Sequence, residues 1–291
     1  MTDVVFYTWN GKHCLKFFHS KDQVSPEKQK EYPMHMHAEC ELYFLIKGPK
    51  ISYTVENSEY QLQPGDIILT QENEMHRAIF QSSGEYECFY LKIQNDCFDQ
   101  LSPRMQKPLH CFRDRKLGDR NLLRLAPEEQ RQCIKLFYQV FQEQNFPNDN
   151  SRLLCFAYTL QILALVNHGF DHSESMTSGC VLSPLMRDIM CYINANIPQI
   201  QTVDQVAKAF FISPSYFSRL FRDNMKISFI KYLRAKKIAL AKNCLTRGSS
   251  VTDACFESGF QDYSYFICTF HKVTGMTPLQ YQKKTQRGDS D

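Results

Sequence analysis

Two groups of side chains in this sequence are of types that do chemistry. His35, His37 and Glu41 share odd parity with Tyr43, so on a regular strand all four project from one face, and His76 follows on a later strand. Three imidazoles and one carboxylate make a ligand set suited to Zn, Fe, Mn or Ni. The same residues can equally line a pocket for a small molecule or hydrogen-bond within the fold. The second group is Ser215, Ser218, Arg219 and Arg222, left outward by a helix whose packing side is Phe217, Leu220 and Phe221. A guanidinium pairs bidentately with O6 and N7 of guanine, so Arg219 is the best candidate for reading a base edge. The plain alternative for all four is a solvated surface.

The first group needs a sheet to hold it, and residues 35 to 93 read as β. Cys40, Leu42, Phe44 and Ile46 fall on one strand face and Glu39, Glu41, Tyr43 and Leu45 on the other; ISYTVEN, IILT and EYECFYLKI are further strands, with a turn at Pro64-Gly65-Asp66. Short strands without long helices between them predict an antiparallel barrel or sandwich. The period then changes. Ile134, Phe137, Tyr138 and Phe141 mark one helical stripe behind Pro127; Leu153, Phe156, Ala157, Leu160, Leu163 and Ala164 mark a second, with Gly169 as its expected stop. This helical hairpin can cover the sheet or meet a twin across a dimer. The expected domains are 1–125 (barrel), 126–170 (hairpin, candidate dimerisation element), 171–180 (linker, from DHSESMTSG) and 181–291.

The last domain holds the second group and reads as helical throughout. Val203, Ala207 and Ile212 recur 48 positions later as Val251, Cys255 and Phe260; Tyr216, Phe217 and Phe221 recur 49 positions later as Tyr265, Phe266 and Phe270. Each copy predicts a helix, a tight turn and a second helix, with Ser213 and Asp262 as caps and Gly259 where the bend needs positive φ. A second helix of this size fits a major groove. The segment SFIKYLRAKKIALAKNCL, with a stripe at Ile230, Leu233, Ile238, Ala241 and Leu245, could hold two such units about 34 Å apart. Residues 181–291 carry 15 Lys and Arg against 8 Asp and Glu, while residues 1–180 carry 19 against 23, which points the C-terminal part at an anionic partner.

Composition removes several classes. With 43% hydrophobic and 22% charged residues, the 291-residue chain is not disordered over most of its length. Leu153 to Val166 is too short and too polar to predict a membrane span. The start lacks a basic segment leading into an apolar one, and the 12 cysteines form no Cys-x-x-Cys pair, so a cytoplasmic protein with reduced thiols is expected.

SPSYFSRLFRDN, YLRAKKIALAKNCL and GFQDYSYFICTFHKVTGMTP together resemble the C-terminal double helix-turn-helix domain of AraC/XylS-type transcription regulators. The sequence departs from the usual pattern at Lys226 for Gly, Lys237 for Arg, His271 for Lys and Gln282 near a terminal Arg. The resemblance puts DNA-facing positions at Ser215, Ser218 and Arg219 and, in the second unit, at Tyr263, Ser264, Ile267 and Cys268. Ile267 and Cys268 make no strong polar base contact, so the first unit is expected to carry most of the discrimination. In the N-terminal part the His-x-His-x-x-x-Glu spacing resembles the cupin pattern: six residues separate Glu41 from Gly48 and Gly65 opens the second half, while Gln71 and Asn73 replace a usual Pro and Gly.

The whole implies an α+β multidomain chain, a cupin-like antiparallel β-barrel with a helical hairpin followed by an all-α domain with two helix-turn-helix units. It further implies a dimeric activator that binds double-stranded DNA and RNA polymerase. Its small, sugar-like effector would contact His35, His37, Glu41, Tyr43 and His76, with no metal, cofactor or catalytic residue. The rival readings are a metal-dependent cupin enzyme and a constitutive DNA-binding protein whose barrel only dimerises.

Overall fold

The computed structural model describes residues 2–9, 12–32, 34–37, 39–56, 58–72, 74–94, 97–98, 108–143, 149–173, 183–225 and 227–287. Asn73, Lys226, the hairpin loop and most of the expected linker lie outside them. The chain divides into two compact units, Met1–Cys180 and Val181–Asp291.

The first unit runs β1 (Thr2–Trp9), β2 (Lys12–Val24), β3 (Cys40–Lys47), β4 (Ile51–Val55), β5 (Ser58–Leu62), β6 (Asp66–Thr70), β7 (His76–Phe80), β8 (Gly84–Ile93), a one-turn α1 (His110–Arg113), β9 (Leu122–Arg124), α2 (Pro127–Glu143) and α3 (Asp149–His172). The strands form a six-stranded sheet, β1-β2-β8-β3-β6-β9, and a three-stranded one, β5-β4-β7; every pairing is antiparallel. The expected barrel takes the form of these two facing sheets.

β3 shows why the sheets stack as they do. Cys40, Leu42 and Phe44 enter the core beneath the helices, whereas Tyr43 and Leu45 enter the core between the sheets, among Ile51, Tyr53, Val55 and Phe80. With both faces apolar, the strand can only be a middle layer. Phe137 of α2 lies on Phe89, Phe17 and Phe44, with ring centroids at 4.8, 6.0 and 6.1 Å, so the hairpin covers the large sheet. Such ring pairs contribute about 0.5–1.5 kcal/mol each beyond area burial.

Several local expectations are corrected. β1 and β2 precede the expected start of the sheet; in β2 the basic residues Lys12, Lys16 and Lys21 obscure an alternation that buries Leu15, Phe17 and His19. β5 was likewise unexpected, and β7 was anticipated only as the later strand that carries His76. In α2 the buried stripe is Cys133, Leu136, Phe137 and Val140, and Tyr138 lies at the surface, its hydroxyl donating to Glu87 at 3.0 Å. α3 buries Cys155, Thr159, Ile162, Leu163, Val166 and Phe170, leaving Leu153 63% exposed. This helix is apolar on most of its circumference, so small residues able to approach α2 closely choose the buried face, and an apolar stripe alone does not. Gly169 does not stop it. A Cβ there would lie 2.5 Å from a Leu125 methyl, so glycine serves the approach of α3 to the strand end. The helix therefore continues into the expected linker, and Asn150–His172 is long and apolar enough to cross a membrane by length and composition; one side of it is core of the folded unit.

The second unit is α4 (Pro184–Ala195), α5 (Val203–Ala209), α6 (Pro214–Met225), α7 (Phe229–Thr246), α8 (Val251–Glu257), α9 (Tyr263–Thr274) and α10 (Pro278–Arg287). Side-chain caps start most of them: Ser183, Thr202, Ser213, Ser250, Asp262 and Thr277 each accept from a backbone N–H three residues on, worth about 1 kcal/mol apiece. α7 is about 27 Å long at 1.5 Å per residue and is shared by two small cores. Phe229 and Tyr232 meet Phe217 and Phe221 near its start; Ile238, Ala241 and Leu245 meet Cys255, Phe266 and Phe270 near its end. Ile230, expected in the stripe, is at the surface in place of Phe229.

Candidate nucleic-acid interface and sensor cluster

The repeat is structural. α5 and α8 are seven residues each, α6 and α9 twelve each. Gly259 makes the second turn at φ 90°, and a Cβ there would lie 2.3 Å from the carbonyl oxygen of Pro198. Its counterpart 48 residues earlier is Phe211, which holds φ 55° with its ring 97% exposed. Lys237, buried on α7, donates to the carbonyl of Gly259 at 2.8 Å and to Gln201 Oε1 at 2.9 Å, tying the second turn to the segment before α5. Burial lowers its pKa to about 8. Sequence reasoning noted Lys237 only as a departure from Arg; its strut role depends on contacts 22 and 36 residues away.

On α6, Phe217 and Phe221 are fully buried and Leu220 half-buried, while Ser215, Arg219 and Arg222 are exposed and Ser218 is half-exposed. On α9, Phe266 and Phe270 are buried; Tyr263, Ser264 and Cys268 are exposed, and Ile267 packs partly against the core. Both helices thus have one aromatic side held by the domain and one accessible polar side. Tyr216 and Tyr265, which the sequence reading used only as repeat markers, are also on the surface.

The His/Glu group converges, though not by the expected route. β3 begins at Cys40, so His35 and His37 do not share a strand with Glu41. The segment before β3 instead folds back onto β7. His35 and His76 exchange backbone hydrogen bonds of 3.1 and 2.9 Å as an isolated bridge, which brings their rings to 4.4 Å. Glu41 is buried. Its Oε2 lies 2.9 Å from His37 Nε2 and 3.0 Å from Lys92 Nζ, and its Oε1 lies 3.6 Å from His76 Nε2. Burial would raise its pKa, but Lys92 and the hydrogen bond with His37 outweigh that and hold the carboxyl well below its usual range. Burial also pushes His76 down to about 3, leaving a neutral imidazole. Tyr43 points into the space between the sheets, beside Tyr53 at 4.9 Å and Tyr90 at 5.1 Å, with Tyr53 stacked on His76 at 6.3 Å. Its buried hydroxyl has no hydrogen-bond partner among the described residues. Lys92, Tyr53 and Tyr90 escaped sequence reasoning, because only the strand register sets Lys92 opposite Glu41.

These two sites coincide with two family models. The AraC-like ligand binding domain model matches residues 26–150 and a helix-turn-helix domain model matches residues 206–284, together more than two thirds of the chain. The chain belongs to the AraC family of transcription regulators. Among relatives, the AraC-type chain is 24% identical over 278 residues to YdiP of Escherichia coli, an uncharacterized HTH-type transcriptional regulator, covering 91% of this chain and 86% of that one. It is 24% identical over 264 residues to the HTH-type transcriptional activator RhaR of Yersinia pseudotuberculosis, covering 88% and 86%. Among solved structures, the C-terminal domain of AraT, a response regulator from Geobacillus stearothermophilus, is 29% identical over 36% of this chain and 88% of that one, with a TM-score of 0.35. An AraC-family regulator combines a DNA-binding domain with a ligand-binding one, and here these are the helical unit and the sheet unit.

Proposed function

We propose that this regulator binds double-stranded DNA through α6 and α9, with Arg219 reading a guanine, Ser215, Ser218 and Arg222 assisting, and Tyr263, Ser264, Ile267 and Cys268 forming a weaker, more apolar second contact. The observation that carries the reading is the pair of equal-length, capped helices, each gripped on its aromatic side and open on its polar side. The inward tilt of Ile267 supports assigning most discrimination to the first unit.

In this reading a small organic effector, a sugar in the first instance, enters between the sheets and meets Tyr43 and the rim formed by His35, His37, Glu41 and His76. The unpartnered Tyr43 hydroxyl supports a polar ligand. The effector acts by binding one arrangement of the regulator more tightly than another. The outward apolar residues of α3, Leu153 and Leu154 foremost, support a homodimer. Activation through RNA polymerase follows the relative named as an activator, and the free thiols fit a cytoplasmic location. A metal-dependent enzyme would have no use for the helical unit.

The test is fluorescence anisotropy of the full chain on oligonucleotides from its own upstream region and on scrambled controls, with and without candidate sugars. A preference of tenfold or more, shifted by one effector, is expected. Equal affinity for all duplexes would overturn the reading.

A further inference from the structure

Ligand atoms of His35, His37, Glu41 and His76 all lie within 4.8 Å of one another. Bonds of about 2.1 Å to a common ion place neighbouring donors about 3–3.5 Å apart. The separations from Glu41 to His37 and His76, 2.9 and 3.6 Å, already bracket that range. The ring tautomers agree with this geometry. His76 Nδ1 lies 2.8 Å from the carbonyl oxygen of Glu74, so it carries the proton and donates; Nε2 then presents a lone pair. That nitrogen is fully buried and has no hydrogen-bond partner among the described residues. His37 likewise donates from Nδ1 to the carbonyl of Glu39 at 3.0 Å, which turns Nε2 toward Glu41. In the neutral ring that places lone pair against carboxylate, an arrangement relieved by a proton on Nε2 or by a metal cation between them, so the two compete for the same position. Backbone carbonyls that fix one ring nitrogen and aim the other are what orient metal-ligating imidazoles.

We propose that His35, His37, Glu41 and His76 bind one divalent transition-metal ion. The set is rich in imidazole and free of thiolate, which selects Zn, Mn, Fe, Co or Ni over Ca or Cu(I). His35 is at the surface and His76 is buried, so the ion enters from solvent past His35. Lys92 holds Glu41 Oε2 at 3.0 Å and is the ion's competitor; its partly exposed side chain swings to solvent on binding. The bound ion ties three stretches, residues 34–37, β3 and β7, which already meet there through the His35–His76 bridge, the ring contacts and the hydrogen bonds of His37 to Glu39 and Glu41. The site stands on this geometry and not on the regulator reading, although it names the chemical class of one sensor ligand.

The test uses the full chain, stripped by chelation and titrated with Co²⁺ alone. One ion per chain is expected, with a visible spectrum of nitrogen and oxygen ligands and no thiolate charge-transfer band. Zn²⁺ or Mn²⁺ is expected to raise the unfolding temperature. His76→Ala and Glu41→Gln should weaken binding a hundredfold or more. Because a buried variant can fail to fold, His35→Ala at the surface serves as the second arm, with a loss of about tenfold or more, and Lys92→Met should tighten binding. Absence of saturable binding, a thiolate spectrum, or affinity unchanged in His35→Ala would overturn the proposal. DNA affinity of the stripped chain, measured in parallel, reports separately on the regulator reading.

Discussion

The two turn positions of the repeat make opposite predictions. At Gly259 the backbone is left-handed at φ 90° and an added Cβ would lie 2.3 Å from the oxygen and 2.5 Å from the Cα of Pro198, both backbone atoms. In Gly259→Ala the conformational penalty is about 1–2 kcal/mol, the reduced freedom of the unfolded chain returns about 0.4–1 kcal/mol, and forced displacement adds about 1–3 kcal/mol. The net cost is about 1–4.5 kcal/mol. For a unit of this size that lowers the midpoint by roughly 4–20 °C. Phe211 has the same left-handed backbone at φ 55°, but its ring is 97% exposed and buries nothing. Phe211→Gly removes about 1–2 kcal/mol of strain and adds about 0.4–1 kcal/mol of unfolded-state entropy, so it leaves stability unchanged or raises it by about 1 kcal/mol. The assay is thermal and urea unfolding of the full chain followed by circular dichroism of the helical unit. A Gly259→Ala loss below about 0.5 kcal/mol, or a Phe211→Gly loss of the same size as Gly259→Ala, would refute the turn geometry.

Lys237→Met removes the strut to Gly259 and Gln201 and should cost about 1–2 kcal/mol at pH 7, by urea unfolding. The folded pKa of Lys237, about 8, lies below its usual 10.5, so between those values the unfolded chain holds more of this proton and wild-type stability rises with pH. The gap to Lys237→Met should therefore widen from pH 8 upward; a gap that narrows contradicts the assignment. Leu153→Glu with Leu154→Glu should shift sedimentation from dimer toward monomer and leave the unfolding midpoint unchanged only at dilutions where the wild-type chain is also monomeric, because both side chains face outward. Cys133→Ser, by contrast, puts a more polar hydroxyl in the core in place of a thiol and should lower the midpoint by several degrees in thermal unfolding followed by circular dichroism.

What could be read from the sequence was whatever is local. The alternation in β3 announced a strand, though not that both its faces are buried, and the 48-residue repeat announced two units whose helices proved equal in length. The residue types of the sensor cluster were legible too, but not their route. Parity placed His35 and His37 on the strand of Glu41, whereas a backbone bridge to His76, 41 residues away, positions His35. Lys92 and Lys237 were hidden for the same reason, since each acquires its role from a partner on another element. In α3, where apolar residues occur on most sides of the helix, the periodicity carried no phase, and packing, with Cys155 against Val140 of α2, decided which side was buried. Lys12, Lys16 and Lys21 masked β2 because strand pairing with β8, and not hydropathy, defines it.

The central claim is that α6 and α9 read DNA together from a basic unit. Binding-site selection from random duplexes, run side by side with the wild-type chain and Arg219→Ala and repeated across salt concentrations, tests it most directly. The account predicts a two-part consensus spaced by about one helical turn, a guanine that Arg219→Ala no longer selects, and a logarithm of affinity that falls linearly with the logarithm of salt. No enriched sequence, or the same consensus from both proteins with a flat salt response, would contradict it.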